Sequence, residues 1–546
     1  MPAVTPTILS QGQPMDSTYD LVSIDIRREC NRIPQAELRL VDGDAATREF
    51  PISDSGFFDP GAQIEIKVRY EGEEDATVFK GLVVRHGLES SDRGSVLVIA
   101  VKDAAVKLSG ARKSAFFEKL TDDAIIKQLI TDAKLEAGDI AATQPQHLGM
   151  VQYYCTAWDF ILSRADAQGL IVVADDGKIS VAKFEVSGEP KHTFEYGIDE
   201  MIDVEIEADA AAQYESVESV AWDPKERKLT KPSKAQSVTL APGDLDGEQL
   251  GGAVGKGTAT LSHPVPVNAD ELQAWADATL ARSRIALCRG RIAVPGLADI
   301  KPLDVMEIAG LAKHFNGTTL VTGLRHRIDS AGWRTDVQFG LPADGFARSA
   351  DIVDAPAAGL LPAVTGLQMG VVAGFEADPD GELRVKVLLP GVDAEKALVW
   401  ARLVSPDAGK GRGYFFRPEP DDEVIVGFLN NDPRYPIILG ALYGSKNTPA
   451  GLMGDPSEKN DKKGIVTRKG TTIGFTDGDK PSVFIETANK NKLLLDDEGE
   501  QVSLQDQHGN SITMSKKGIV IKSAKDFKVD ASSGNVEIKG SKVDVK

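Results

Sequence analysis

Nine apolar doublets of the form Φ-x-Φ occupy about the last 75 residues of this 546-residue chain. They are Ile473/Phe475, Val483/Ile485, Leu493/Leu495, Val502/Leu504, Ile512/Met514, Ile519/Ile521, Phe527/Val529, Val536/Ile538 and Val543/Val545, at steps of 10, 10, 9, 10, 7, 8, 9 and 7 residues. Side chains two apart fall on one face of a strand, so each doublet predicts a very short strand with one apolar face. Asp, Asn, Gly, Ser and Lys fill the intervals, which is turn chemistry. Strands this short bury little alone, but regular repetition lets each rung stack on the next, as in β-solenoids. A single thin stack would leave its apolar face and its edges open. Winding three copies round one axis closes both. The pattern therefore predicts an intertwined trimeric β-helix with Ile512, Met514, Ile519, Ile521, Phe527, Val529, Val536, Ile538, Val543 and Val545 packed on the trimer axis. The alternative is an ordinary terminal β-meander, which lacks a following helix or wide sheet to cover its face.

The rest of the chain is read around that segment. Its length suggests about three or four domains. A net charge of −20 argues against binding nucleic acid through phosphates, which needs clustered Lys and Arg, and against a basic membrane-surface patch. Cys30, Cys155 and Cys288 are odd in number and far apart, which is neither a disulfide framework nor a zinc knuckle. A reducing compartment of synthesis follows. The N-terminal MPAVTPTILSQGQP has neither the basic region nor the apolar core of a signal peptide, and no stretch reaches bilayer-spanning length.

Residues 20–110 read mostly as strands, including IEIKVRY and SVLVIAV. A helix is expected from Thr121 to near Gly138. A second is expected behind a capping box of Thr156 and Asp159, with Trp158, Ile161, Leu162 and Ala165 on one face. A hairpin should turn at Asp175, Asp176 and Gly177. Residues 209–256 are weakly patterned and predict irregular connections, before a third helix capped by Asn268. Strands resume through GRIAVPG, DVMEIAG, TTLVTGLRHRID and WRTDVQFGL. Without a βα alternation, a parallel α/β enzyme core is not expected. APAAGLLPAV reads as a linker. Five or six short strands over residues 366–445 then suit a small Greek-key barrel of the OB type. The expected organisation is 1–355, two barrel-like subdomains plus helices; 356–365, linker; 366–445, OB-fold domain; 446–464, linker; and 465–546, needle.

Candidate chemistry is sparse. The seven histidines make no metal-ligand spacing, and neither H-E-x-x-H nor C-x-x-C occurs. Arg325-His326-Arg327 reads as a solvated strand edge. Gly251 to Gly257 imitates a phosphate loop, but Leu250 stands where its first Gly belongs and no Ser or Thr follows Lys256. Glu376 to Gly381 resembles the start of a calcium loop, yet Val387 occupies the position that needs Glu, so a hairpin turn is expected. G-x-S-x-G is absent. Tyr414, Phe415 and Phe416 are adjacent, alternate in and out, and are expected to serve the barrel core rather than a base-stacking platform. No catalytic residue, cofactor or metal is predicted, and no enzyme activity.

The order of parts resembles the VgrG family, the hub-and-spike proteins of contractile injection systems, related to phage tail hubs and needles. The resemblance is carried by Val399-Trp400-Ala401-Arg402, Gly409 to Pro418, Asp422 to Phe428, Asp432-Pro433-Arg434-Tyr435-Pro436, Ile438-Leu439-Gly440 and Leu442-Tyr443. Trp158-Asp159-Phe160, Phe79 to Val83 and Val321 to His326 add to it, as do Gly509 to Met514 and Gly518 to Ile521 in the needle. It implies a mainly β fold with some α: a tail-hub-like β-barrel/helical N-terminal region, an OB-fold barrel and the trimeric β-helix. It implies a homotrimer whose hub seats a hexameric inner tube among baseplate proteins and whose tip punctures the target envelope. A conical PAAR-repeat protein would cap the last rung, and effector cargo could ride on the spike. The compact form is similar to spikes of phage-tail-like extracellular particles; a type VI secretion spike and a β-helical receptor-binding fibre are the alternatives. Such a protein would be made in the bacterial cytoplasm and sit at the baseplate centre of the particle.

Overall fold

A computed structural model describes residues 3–92, 94–349, 351–454 and 459–546. Four residues of the expected 446–464 linker, 455–458, therefore lie outside the described residues. The chain forms two compact units, Met1–Asp354 and Ala355–Lys546.

The first unit is built on a 13-stranded sheet. One half runs through Val4–Ser10, Gln63–Tyr70, Ala76–Ser91, Gly94–Lys102, Gln35–Val41 and Leu21–Glu29. Alternate residues point inward, and Ile24, Ile26, Leu38, Leu40, Phe58, Ile64 and Ile66 close its core. The other half holds Gly317–Asp329, Gly332–Phe339, Cys288–Pro295 and Asp203–Ala208, over a second core of Phe194, Ile292, Met306, Leu324, Val337 and Phe339. The halves join where Gly323 to Asp329 pair antiparallel with Glu29 to Ser23. Arg325-His326-Arg327 thus sits on an inner strand, not on the expected edge. His326 is buried and Arg325 pairs with Asp25 across the junction. Sequence alternation gave no hint, because the outward partners of these arginines lie about 300 residues away in Asp25 and nearby in Asp336.

Among the described residues four α-helices accompany the sheet: α1 (Asp122–Asp132), α2 (Ala157–Ala167), α3 (Gly247–Ala253) and α4 (Ala269–Ile285). Thr156 Oγ1 accepts the Asp159 amide at 3.0 Å and donates to the Asp159 carboxylate at 2.6 Å, capping α2. Trp158, Ile161, Leu162 and Ala165 are all buried against α1 and the hairpin Leu170–Asp175/Lys178–Lys183. That hairpin turns on Asp176 (φ 53) and Gly177 (φ 87), the pair of positive angles a two-residue turn of matching twist requires. Asn268 caps α4 by accepting the Asp270 amide.

Residues 209–256 are not irregular throughout. Ser216–Asp223 is a strand flanked by Ser233–Lys234 and, in parallel, by Thr258–His263. Its inward residues Val217, Ser219 and Ala221 are small because α4 lies against them; Ser219 donates to the Leu272 carbonyl. The phosphate-loop imitation begins on α3, where a Cβ on Gly251 would meet the Tyr214 carbonyl carbon at 2.3 Å. Its glycine serves close packing.

In the second unit, Gln368–Gly374, Val385–Leu388, Leu398–Leu403, Pro436–Ala441 and Glu423–Phe428 form a closed barrel. Val372, Val387, Ala401, Val424, Val426 and Ile438 fill it. The calcium-loop imitation is its first turn: Asp378 accepts the Asp380 and Arg384 amides and is forked by the Arg384 guanidinium. Those hydrogen bonds, the Arg384 side chain foremost, hold the Asp378 carboxyl well below the usual carboxylate range. Tyr414, Phe415 and Phe416 do not enter the core. All three are exposed; they follow the short ribbon Ala408–Gly409/Arg412–Gly413 rather than a barrel strand, and Arg417 lies over the rings of Phe375 and Phe415.

Candidate functional site

Seven five-residue strands follow the barrel: Lys462–Val466, Thr472–Thr476, Ser482–Glu486, Lys492–Asp496, Gln501–Gln505, Ser511–Ser515 and Gly518–Lys522. Each pairs antiparallel with the next, so within one chain this segment is laid out as a meander. Register places doublet against doublet: Ile473 opposite Ile485, Val483 opposite Leu495, Leu493 opposite Leu504, Val502 opposite Met514, and Ile512 opposite Ile521. Because the side-chain period is two, every doublet falls on one face and the flanking polar residues on the other.

That face is the inverse of an ordinary soluble sheet. Ile473, Phe475, Val483, Ile485, Leu493, Leu495, Leu504, Ile512 and Met514 are exposed, while flanking Thr472, Ser482, Lys492, Ser511 and Ser515 are half-buried. On the polar face the Phe484 ring lies over Gly474, and the Lys492 ammonium sits 5.0 Å above that ring. A contiguous exposed apolar face of this kind marks an interaction surface.

The turns on one side of the meander are tied to each other, a device the sequence reading missed. Asn491 Oδ1 accepts the Gln507 amide at 3.0 Å, and Asn510 Oδ1 accepts the Ala524 amide at 2.8 Å. Asp506 orders its own turn by accepting the His508 and Asn510 amides and the Asn510 side-chain amide. The Asn510 side-chain hydrogen bond, ahead of the other contacts, holds the Asp506 carboxyl below its ordinary value. The only trace in the sequence is an Asn directly before each of the strands Lys492–Asp496 and Ser511–Ser515.

Of the predicted axial residues, Ile512, Met514, Ile519 and Ile521 lie on paired strands of this face. Phe527, Val529, Val536, Ile538, Val543 and Val545 lie beyond the last strand, exposed and, among the described residues, outside any strand pairing. A groove of about 840 Å³ brings Phe527 near Leu504, Ile512 and Ile521, though Asp506, His508, Asn510, Lys522 and Lys525 line it as well. Among the described residues no cluster of His, Cys, Asp and Glu is arranged to hold a metal ion, and no helix is long and apolar enough to cross a membrane.

The chain is thus mainly β and modular, with a closed barrel followed by a meander that turns its apolar side outward. The profile of the Alg8 N-terminal domain matches residues 1–330, that of the type VI secretion system/phage-baseplate injector OB domain residues 368–443, and that of the phage baseplate V C-terminal trimerisation domain residues 482–546. The first covers more than half of the chain, which therefore belongs to the family of the Alg8 N-terminal domain and, with the other two, to the VgrG-family spike proteins. Among curated relatives, the type VI secretion system spike protein VgrG3 of Vibrio cholerae is 30% identical over 158 residues, 27% of this chain and 15% of that protein. VgrG1a of Pseudomonas aeruginosa is 28% identical over 175 residues, 30% of this chain and 27% of that one. The actin cross-linking toxin VgrG1 of Vibrio cholerae is 32% identical over 141 residues, 24% of this chain and 12% of the toxin. The match thus spans about a quarter or less of the length of these relatives. Among solved structures, a tail protein from Neisseria meningitidis MC58 superposes with a TM-score of 0.45 at 15% identity, covering 63% of this chain and 98% of that one. An E. coli type VI secretion component superposes with a TM-score of 0.40 at 13% identity, covering 80% and 99%.

Proposed function

We propose that three copies of this chain form the central spike of a contractile injection machine. The observation that carries the reading is the inverted face of the meander: paired apolar doublets exposed, polar flanks half-buried. Three copies that turn these faces inward bury them together, and the match of residues 482–546 to a trimerisation domain supports that number. A stiff hydrogen-bonded shaft of small cross-section concentrates the force of a contracting sheath. The function is mechanical, without catalysis; the toxin relative is matched over too little of its length to lend this chain its activity. The N-terminal unit seats the hexameric inner tube and contacts baseplate proteins, and a PAAR-repeat protein caps the far end of the needle, with effector cargo carried at the tip. The chain acts at the tip of the particle, after synthesis in the bacterial cytoplasm. A type VI secretion spike is the second reading, favoured by the names of the curated relatives.

Light scattering after size exclusion tests the assembly. The expected mass is near three times 58.4 kDa, and a monomer at micromolar concentration overturns the spike. Immunogold labelling of intact particles tests location, with label expected at the baseplate end. A cleared band on a peptidoglycan zymogram would overturn the non-catalytic reading.

A further inference from the structure

The first half of the large sheet carries a side-chain pair that the spike reading leaves unused. His86 lies on the strand Ala76–Ser91, opposite Ile99 on the neighbouring strand. Its Nδ1 is 3.0 Å from the Phe58 carbonyl oxygen, and its Nε2 is 2.6 Å from Ser53 Oγ. A carbonyl oxygen only accepts, so Nδ1 carries the proton of the neutral ring. Nε2 is then a bare acceptor, and the Ser53 hydroxyl donates to it. This is how an activated hydroxyl stands to its general base, with the base itself oriented by a third group. Here the third group is a backbone carbonyl. The serine is held as firmly as the ring. It opens the short helical turn Ser53–Ser55. Asp42, 2% exposed, accepts the Ile52 amide at 3.0 Å and the Ser53 amide at 2.8 Å. Past the turn, the Phe57 carbonyl accepts the Ser10 hydroxyl at 2.6 Å, and the Phe58 side chain is fully buried. Ser53 and His86 are only half-buried, which leaves the pair within reach of a small reagent.

Asp42 also limits what the pair can do. The backbone amide of an attacking serine is a common donor to the oxyanion that forms at the carbonyl under attack. Here the Ser53 amide is already bonded to the Asp42 carboxylate, and so is the amide before it. Without that donor, attack is fast only on a carbonyl whose leaving group departs easily. The product, an alkyl ester of Ser53, has a poor leaving group, and its hydrolysis is slow for the same reason. We infer that Ser53 is an acylation site: its oxygen takes one acyl group from an activated ester or a thioester and keeps it. In that step Oγ bonds to the acyl carbon, and the hydroxyl proton passes to His86 Nε2. The C–O or C–S bond of the donor breaks, and the leaving phenolate or thiolate recovers the proton from the imidazolium. The inference stands apart from the mechanical reading and leaves it intact, since no turnover follows.

p-Nitrophenyl acetate, applied to the full-length protein at neutral pH, tests it. Peptide mass spectrometry should find acetyl at Ser53, gained at least ~10-fold faster than at Ser55 of the same turn. Ser55 is the internal control, because its hydroxyl donates to the Ile52 carbonyl at 2.6 Å rather than to an imidazole. It is also the more exposed of the two, so exposure alone would favour it. His86→Phe, which keeps a ring and removes both nitrogens, should bring the rate at Ser53 down to that at Ser55, with a thermal melt confirming that the hub is folded. After the reagent is removed, the acetyl group should persist. Equal rates at Ser53 and Ser55 in the unaltered protein overturn the activation, and that comparison decides even where His86→Phe fails to fold. A folded His86→Phe protein acetylated at Ser53 as fast as the unaltered one overturns it too. Rapid loss of the acetyl group overturns its retention and makes the pair a hydrolytic one.

Discussion

His326 is enclosed at the junction of the two half-sheets, with Nδ1 3.0 Å from the Thr335 hydroxyl and its ring beside Trp333. Burial, then the positive charge of Arg28, lowers its pKa to about 3, with Asp336 opposing. The folded form therefore excludes a proton that the unfolded chain binds below its ordinary pKa near 6.5. Stability contributed by this site is full above about pH 6.5 and falls as pH drops toward 3, by up to about 1.4 kcal/mol per pH unit. His326→Gln should flatten that slope; urea midpoints of the two proteins that stay parallel from pH 7 to 4 would refute the assignment. The thiols make a second residue-scale prediction. Burial raises Cys30 to about 12 and Cys288 to about 11, and all three cysteines are buried and free. Thiol reagents should label the native protein slowly and at least tenfold faster in denaturant. The sequence told that these cysteines form no framework. It could not tell that Arg325-His326-Arg327 is interior, because the carboxylates that neutralise those arginines are contributed by other strands.

At the scale of elements, local rules sufficed wherever the deciding contacts are local. Thr156 and Asn268 cap their helices from positions readable in the sequence, and Asp176-Gly177 turns its hairpin. The doublets were legible for the same reason, since a period of two needs no knowledge of partners. Two things were hidden. Ser216–Asp223 went unread because its inward positions Val217, Ser219 and Ala221 are small, one of them polar, a choice set by the closeness of α4 rather than by hydrophobicity alone. The tie between turns was unreadable because its bonds join residues 16 and 14 apart in sequence. It carries its own prediction. Asn510→Ala removes an acceptor for the Ala524 amide and a donor to Asp506, and should cost about 1 to 2 kcal/mol. Hydrogen exchange at residues 506–526 should accelerate, while Asn489→Ala, at an exposed turn position, should leave it unchanged. Equal behaviour of the two variants would show that the turns are not coupled.

For the whole molecule, the decisive quantity is what faces the apolar side of the needle. Within a single chain Ile519 is 68% exposed and Val536 55% exposed. Were these positions solvated in the functional protein, Ile519→Asp or Val536→Asp would be a surface change, worth within about 0.5 kcal/mol. On a threefold axis the same substitution places three carboxylates together in a low-dielectric interior, where like charges and lost solvation are both costly. The two cases differ by far more than the uncertainty of either. Loss of trimer, or insoluble expression, is expected for both variants, and Ile519→Val should remain trimeric. pH provides an internal control. Clustered carboxylates have raised pKa values, because each disfavours the charge of the others. The variant trimer should therefore regain stability as pH falls through that raised pKa and the groups become neutral, whereas a misfolded chain gains nothing from acid. Light scattering of Ile519→Asp at pH 7.5 and pH 4.5 reads this directly. Monomer giving way to trimer supports the axial position, and a stable trimer at both pH values removes residue 519 from the axis.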